Sequence, residues 1–321
     1  MSRYAIGQYL GEGAHSSVFA GVDMLVGSQV AMKKIPSVNG SAKLPISCLG
    51  ANFREIGVLQ KLRAAGGHNN VLELLDFLVE PDAVWLVTEA CDMNLAEYIA
   101  RFKSTIDIDV IRRILHQIFQ GLEFIHSHNV IHRDMKPQNL LIKIQEDRPL
   151  ILIADFGLAK SLSFSSTPTT TNVASLWYRA PEVLLQCGYG LAIDLWAVGC
   201  ILGELVAGAP MFVDSSEVGM LITIFATLGT PDAVVWPAVV NADNYSRSWP
   251  SWKRTERLIA MSRRFLPSLG DQGFELLLSL LQYDPSKRVA GKAAASHNFL
   301  AVHFGNLTYD NETMEFLRRG S

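Results

Sequence analysis

HRDMKPQN, residues 132–139, sets a His, an Arg, an Asp, a Lys and an Asn between the apolar runs VI at 130–131 and LLI at 140–142. A polar turn ending a helix would explain one or two of these residues, but not all of them between flanks that read as buried. Chemistry explains more. Asp134 can accept a hydrogen bond and then a proton from an attacking hydroxyl, Lys136 can steady a transferring phosphate, and Asn139 can offer an oxygen to Mg2+.

Other stretches serve the same chemistry. In IADFGLAK, Asp155 follows the short apolar strand LILIAD, where a carboxylate can chelate the metal bridging nucleotide phosphates. Gly157 permits the turn that lets Phe156 pack inward. Upstream, AMKK places Lys33 in a strand, and Glu55 in a following helix can anchor its ammonium against phosphate. GEGAHSSV, residues 11–18, carries Gly11 and Gly13, which let backbone amides approach a phosphate closely. A hairpin turn explains that glycine pair equally well. The nucleotide-loop pattern has a third glycine where this chain has Ser16.

The chain has 321 residues, 49% hydrophobic and 18% charged, with a net charge of −3. That balance suits one large domain or two small lobes and leaves no broad basic footprint for nucleic acid. The four cysteines form no metal-ligand pattern, and no apolar run reaches membrane-spanning length. The expectation is a soluble intracellular protein with no nucleic-acid partner and no membrane insertion.

Two halves are patterned differently. Residues 4–35 alternate like strands, in SSVFAGVDM and QVAMKKI. ISCLGANFREIGVLQKLRAAGG follows, with Phe53, Ile56, Leu59 and Leu62 at helical spacing and Gly66 and Gly67 ending the run. VLELLDFLVE and AVWLVTEAC read as two more strands. From about Asn94 the pattern turns helical, with helices expected at 107–128, 182–186, 192–207, 215–228 and 271–283. The tryptophan-rich stretch 236–252 and the last residues read as surface excursions. The Ser/Thr-rich SLSFSSTPTTTNVAS reads as a functional loop.

Taken in order with APE at 180–182, DLWAVGC at 194–200 and Arg288, these motifs resemble a eukaryotic protein kinase across nearly the whole chain. The resemblance implies an α+β, bilobal fold. It comprises a small antiparallel sheet lobe with one regulatory helix (1–90), a hinge (91–94), a larger mainly helical lobe (95–300) and a tail (301–321). It implies a phosphotransferase using ATP and Mg2+. Asp134, Lys136, Lys33 and Glu55 would be catalytic, with Asn139 and Asp155 on the metal. Leu10, Gly11, Glu12, Gly13, Ala14, Val18, Ala31, Lys33, Thr88, Glu89, Cys91 and Leu141 would hold the nucleotide, with Ala154 beneath the adenine. Thr88 takes the gatekeeper position, where cyclin-dependent kinases commonly carry a bulky aromatic. Asp194 would tether the catalytic loop, and Glu182 would pair with Arg288.

Lys136, two after Asp134, resembles the Ser/Thr kinases. SLWYRAPEVLL, DLWAVGCILGEL and LGTPDAVVWP resemble the cyclin-dependent kinase group, implying protein substrates with Ser/Thr-Pro. Activation would follow phosphorylation by an upstream kinase at Thr170, with Thr169 and Thr171 as competitors, the phosphate being held by Arg54, Arg133 and Lys160. Lys160 stands where these kinases usually have Arg. Of the cyclin-docking signature only the REI core is present, which leaves a cyclin-like partner open. Ala14 and His15 replace an inhibitory Thr-Tyr pair. GEGAH, NLAEYI and LGTPDAVVWP are most similar to the cell-cycle-related kinase branch, associated with the cilium, and the cyclin-activating branch is the alternative. The expected compartment is the cytoplasm, with nucleus and cilium as alternatives. A non-catalytic scaffold is the competing class, and it draws only on Ser16 and the divergent helix.

Overall fold

The computed structural model describes residues 3–13, 16–36, 50–145, 148–161, 176–242, 244–246 and 248–301. Strands β1 (Tyr4–Gly13), β2 (Ser16–Asp23), β3 (Ser28–Pro36), β4 (Leu74–Val79) and β5 (Ala83–Glu89) form one antiparallel sheet in the order β1-β2-β3-β5-β4. Period-two alternation separates the sheet's faces. Val30, Met32, Ala83, Trp85 and Val87 gather with Tyr4 in an outer cluster. Ile35, Val84 and Leu86 point the other way, into the main core. Lys33 lies opposite Leu86, and Ala31 opposite Thr88, so the same alternation turns Lys33 and Ala31 toward the rest of the molecule.

Helix α1 (Gly50–Ala64) closes that face. Ile56, Leu59 and Leu62 are buried, as their helical spacing requires, and Glu55 is buried among them. Gly66 and Gly67 take positive φ, and the Gly67 amide donates to the Leu62 carbonyl at 3.0 Å, which ends the helix.

Beyond β6 (Met93–Asn94) the chain becomes helical. Asn94 and Glu97 form a reciprocal capping box that starts α2 (Leu95–Phe102). Helix α3 (Ile108–Ser127) buries Ile111, Leu115, Ile118, Phe119, Leu122 and Ile125 along one stripe. Short strand β7 (Val130–Ile131) leads to a three-stranded ladder of β6, β8 (Leu140–Gln145) and β9 (Arg148–Ile153), and β10 (Lys160–Ser161) pairs with β7. Helices α4 (Pro181–Leu184), α5 (Ala192–Ala207), α6 (Glu217–Leu228), α7 (Arg254–Leu280) and α8 (Gly291–Ala295) complete an α+β, bilobal architecture. Among the described residues no helix is long and apolar enough to cross a membrane.

The tryptophan-rich stretch 236–252 runs along the surface, most of its described residues exposed, but it is pinned to the core: Trp236 and Val239 are buried, and Trp249 packs edge-on against Phe225 at 5.5 Å. Indole rings remove more apolar area from water than the polar residues around them suggest. The range α7 is two helices that meet at Gly270, whose φ of 64° and ψ of 179° are not helical. The second begins where the helix expected at 271–283 begins. The first, from Arg254, adds to the expected helices, because Met261, Phe265 and Leu269 bury only a sparse stripe among charged neighbours.

Candidate active site

Three elements converge on Lys33. Its Nζ donates to both oxygens of Glu55 at 3.0 Å and to Asp155 Oδ1 at 2.8 Å, joining β3, α1 and the turn after β9. Asp155 reaches it from left-handed backbone (φ 63°, ψ 73°), and Phe156 beyond it is fully buried. Burial alone would lower the Lys33 pKa, but attraction from Glu55 and Asp155 outweighs it and holds the ammonium charged. Two carboxylates share one cation. Burial and the nearby charge of Asp155 push Glu55 upward, whereas Asp155, whose side chain is 42% exposed, is held below the usual range by Lys33 against its own desolvation.

The stretch 132–139 is held by polar contacts within itself and to Ala154 and Asp194. His132 is fully buried, and its ring meets Phe156 edge-on at 4.9 Å. The Asp134 amide donates to His132 Nδ1 at 3.3 Å, which leaves Nε2 to carry the proton and donate to the Ala154 carbonyl at 2.9 Å. Buried Asp194 of α5 accepts from the amides of His132 and Arg133, each at 2.9 Å, and from His126 Nε2 at 2.9 Å. Its burial would raise its pKa; the His126 bond and the amides bring it below the ordinary value. Held this way, Arg133 sits at φ 71°, a strained conformation for a residue with a Cβ.

That backbone presents Asp134. Lys136 Nζ meets Asp134 Oδ2 at 2.7 Å, and Asn139 Nδ2 donates to the same oxygen at 2.9 Å and to the Asp134 carbonyl at 2.8 Å. Because both acceptors take the Asn139 amide hydrogens, its carbonyl oxygen is turned away from them. Asp155 Oδ2 makes no hydrogen bond among the described residues. A hard carboxylate oxygen and an amide oxygen are the donor types Mg2+ selects, so these residues fit that ion.

The remaining site residues fall into distinct places. Leu141 and Cys91 pack with Ala154 and Leu72 in one small apolar cluster. The Cys91 thiol is pushed up to about 12, first by burial and then by Glu89, so it is a packing group. The Thr88 hydroxyl donates to the Glu89 carbonyl at 3.4 Å, and the Glu89 carboxylate pairs with Lys143. Val18 lies opposite Gly11 on one side and Lys33 on the other, and Gly13 opposite Ser16 closes the hairpin. Leu10 is 53% exposed and Glu12 is exposed. Ala14 and His15 lie outside the described residues, as do Thr170, its neighbours Thr169 and Thr171, and Ala174. Arg54 is exposed; the Arg133 guanidinium lies over the Tyr189 ring at 5.6 Å; and Lys160 pairs in register with Ile131.

Farther from the cleft, Arg288 makes a two-pronged ion pair with Glu182 at 2.7 and 3.0 Å, both side chains fully buried. Sequence reasoning passed over His126, the Asp194 partner, and Tyr178, whose hydroxyl donates to buried Glu204 at 2.6 Å. A histidine in the last turn of a helix and a tyrosine within an apolar run carry no local mark of such roles.

A family model described as the protein kinase domain matches residues 4–300. The match takes in both the sheet bearing Lys33 and the helical region bearing Asp134 and Asp194. This family transfers phosphate from ATP, generally with a divalent metal, to protein substrates. Over that span the chain belongs to the protein kinase domain family.

Proposed function

We propose that the protein is a serine/threonine kinase, with Asp134 as the base that takes the proton from the substrate hydroxyl. The observation that carries this reading is the Asp134 carboxylate held on one oxygen by both Lys136 and Asn139. Lys136, 2.7 Å from Asp134, would offset charge developing on the attacking oxygen and the phosphate of a Ser or Thr substrate. Lys33, fixed by Glu55, would hold the nucleotide phosphates; Asn139 and Asp155 would hold Mg2+. When bound, that ion neutralises charge on the phosphates and orients them. Cys91, Leu141 and Ala154 would seat the adenine, below Leu10, Val18 and Ala31, with the glycine loop Gly11–Ala14 over the phosphates and Thr88 leaving a deep rear pocket.

The finer reading is a proline-directed enzyme of the cyclin-dependent kinase group, most similar to the cell-cycle-related, ciliary branch, with the cyclin-activating branch as alternative. We read lobes at 1–90 and 95–300 around a hinge at 91–94, followed by a tail. An upstream kinase would phosphorylate Thr170, and Arg54, Arg133 and Lys160 would receive the phosphate. A cyclin-like activator, and a site of action in cytoplasm, nucleus or cilium, belong to the same reading.

Asp134→Asn tests it. Transfer from Mg·ATP to a peptide library varying the residue after Ser or Thr should fall at least 100-fold, in the range of general-base losses of about 10²–10⁴. Nucleotide affinity, followed by thermal stabilisation with Mg·ATP, should hold. Equal loss of both, or wild-type transfer only to a matched library carrying tyrosine in place of Ser or Thr, refutes the assignment.

A further inference from the structure

Lys143 is the one charge in strand β8, LLIKIQ, and a charge in so apolar a strand needs a partner. It finds one in another sheet. Glu89, the last residue of β5, belongs to the five-stranded sheet, and β8 belongs to the three-stranded ladder. The Lys143 ammonium and the Glu89 carboxylate, 54 positions apart in the chain, form an ion pair between the two sheets, with side chains 28% and 23% exposed. An exposed ion pair contributes little, but this one is about three-quarters covered and joins separate sheets.

The ladder grips the crossing segment at a second point. The Asp92 amide donates to the Ile142 carbonyl at 2.9 Å, and the Ile144 amide donates to Asp92 Oδ2 at 2.7 Å. Ile142 and Ile144 flank Lys143, so one short stretch of β8 holds Glu89 by a side chain and Asp92 by its backbone. Beyond Asp92, Met93 and Asn94 pair in register with Ile142 and Leu141. Between the two grips, the Cys91 amide and carbonyl make no hydrogen bond among the described residues. Their orientation therefore depends on what pins the ends of the span. Ordering a backbone segment on binding costs conformational entropy, and a segment already held is spared that cost.

We propose that Lys143 is a positioning residue for nucleotide binding: with the β8 backbone on Asp92, its ion pair to Glu89 holds the backbone of 89–91 in the arrangement that meets the adenine edge. The proposal rests on the reading of Glu89 and Cys91 as residues that hold ATP. A base edge offers a donor beside an acceptor, and a carbonyl and an amide kept at fixed spacing match that pair. Lys143 acts through Glu89 and not on the phosphates, which Lys33 would hold. Its effect should therefore reach a ligand that has a base and no phosphate.

The test compares the wild-type full chain with Lys143→Met and Lys143→Arg, titrated with Mg·ATP and, separately, with adenosine. For Lys143→Met the expected result is about fivefold weaker binding of both ligands, the loss appearing in the KM for ATP and not in kcat on Ser/Thr peptides. Lys143→Arg keeps the cation and should recover most of both affinities. Glu89→Gln should weaken binding as Lys143→Met does, and the double variant should lose no more than either alone. Unchanged binding by Lys143→Met overturns the proposal. So does weaker binding of Mg·ATP alone, since removing one positive charge near a triphosphate does that without any change at the base. A fall in kcat as large as the rise in KM, or additive losses in the double variant, overturns it as well. If the wild type binds neither ligand, the ATP-site reading itself fails, and the proposal falls with it.

Discussion

Asp194→Asn isolates the anchor of the stretch 132–139. Oδ2 accepts from the His132 amide and from His126, and Oδ1 accepts from the Arg133 amide. An asparagine keeps the shape but only one acceptor, so its NH2 must face at least one backbone donor. The least costly orientation loses the Arg133 bond, worth about 1.5–3 kcal/mol for a charged acceptor, and weakens the other two. Relief from burying a charge offsets part of this, for a net loss of about 3 kcal/mol. At about 2 °C per kcal/mol for a long chain, the unfolding temperature should drop by about 6 °C. Scanning fluorimetry and urea unfolding at neutral pH measure it. The pH dependence has a definite sign: a carboxylate whose folded pKa is depressed contributes fully above its unfolded value near 4, and the contribution fades as pH falls through the folded value. The gap between wild type and variant should hold from pH 7 to about 4 and narrow below. A shift under about 1 °C, or a gap that widens on acidification, would refute the account of Asp194 as an ionised anchor.

The buried ion pair and a tight glycine give two further expectations. Arg288→Met should cost about 3–5 kcal/mol, because it leaves Glu182 buried without its cation; Glu182→Gln in the same background should recover part of the loss in urea unfolding. Gly121→Ala in α3 would bring a Cβ within 2.7 Å of the Asn70 carbonyl oxygen and 2.8 Å of Ile153 Cδ1. It should destabilise by about 1–3 kcal/mol despite alanine's better helix propensity, and a stabilised variant would show that the contact relaxes freely.

Most of the fold was legible because its signals are local. Period-two alternation around Lys33, the Ile56-Leu59-Leu62 stripe and the stripe along α3 each arise within one element, where spacing alone fixes which face is covered. The polar residues of 132–139 were legible for a related reason: such a density of charge between apolar flanks needs partners, and those of Asp134, Lys136 and Asn139 lie within the same stretch. The first helix of α7 was hidden because its stripe of Met261, Phe265 and Leu269 is thin and contains Pro267. Trp236 and Trp249 were hidden because burial of a ring depends on what comes to meet it.

The sequence by itself determined most of the elements, their order and, through the motifs that carry Lys33, Asp134, Asn139 and Asp155, the family. Only the tertiary structure decided how those groups are held. Lys33 shares its charge between Glu55, 22 positions away, and Asp155, 122 positions away. Asp194 gathers His126, His132 and Arg133, and Arg288 reaches Glu182 across 106 positions. A buried charge is tolerable only where several donors or a counter-ion converge on it, and that convergence belongs to the packing of distant segments, which no window of sequence contains.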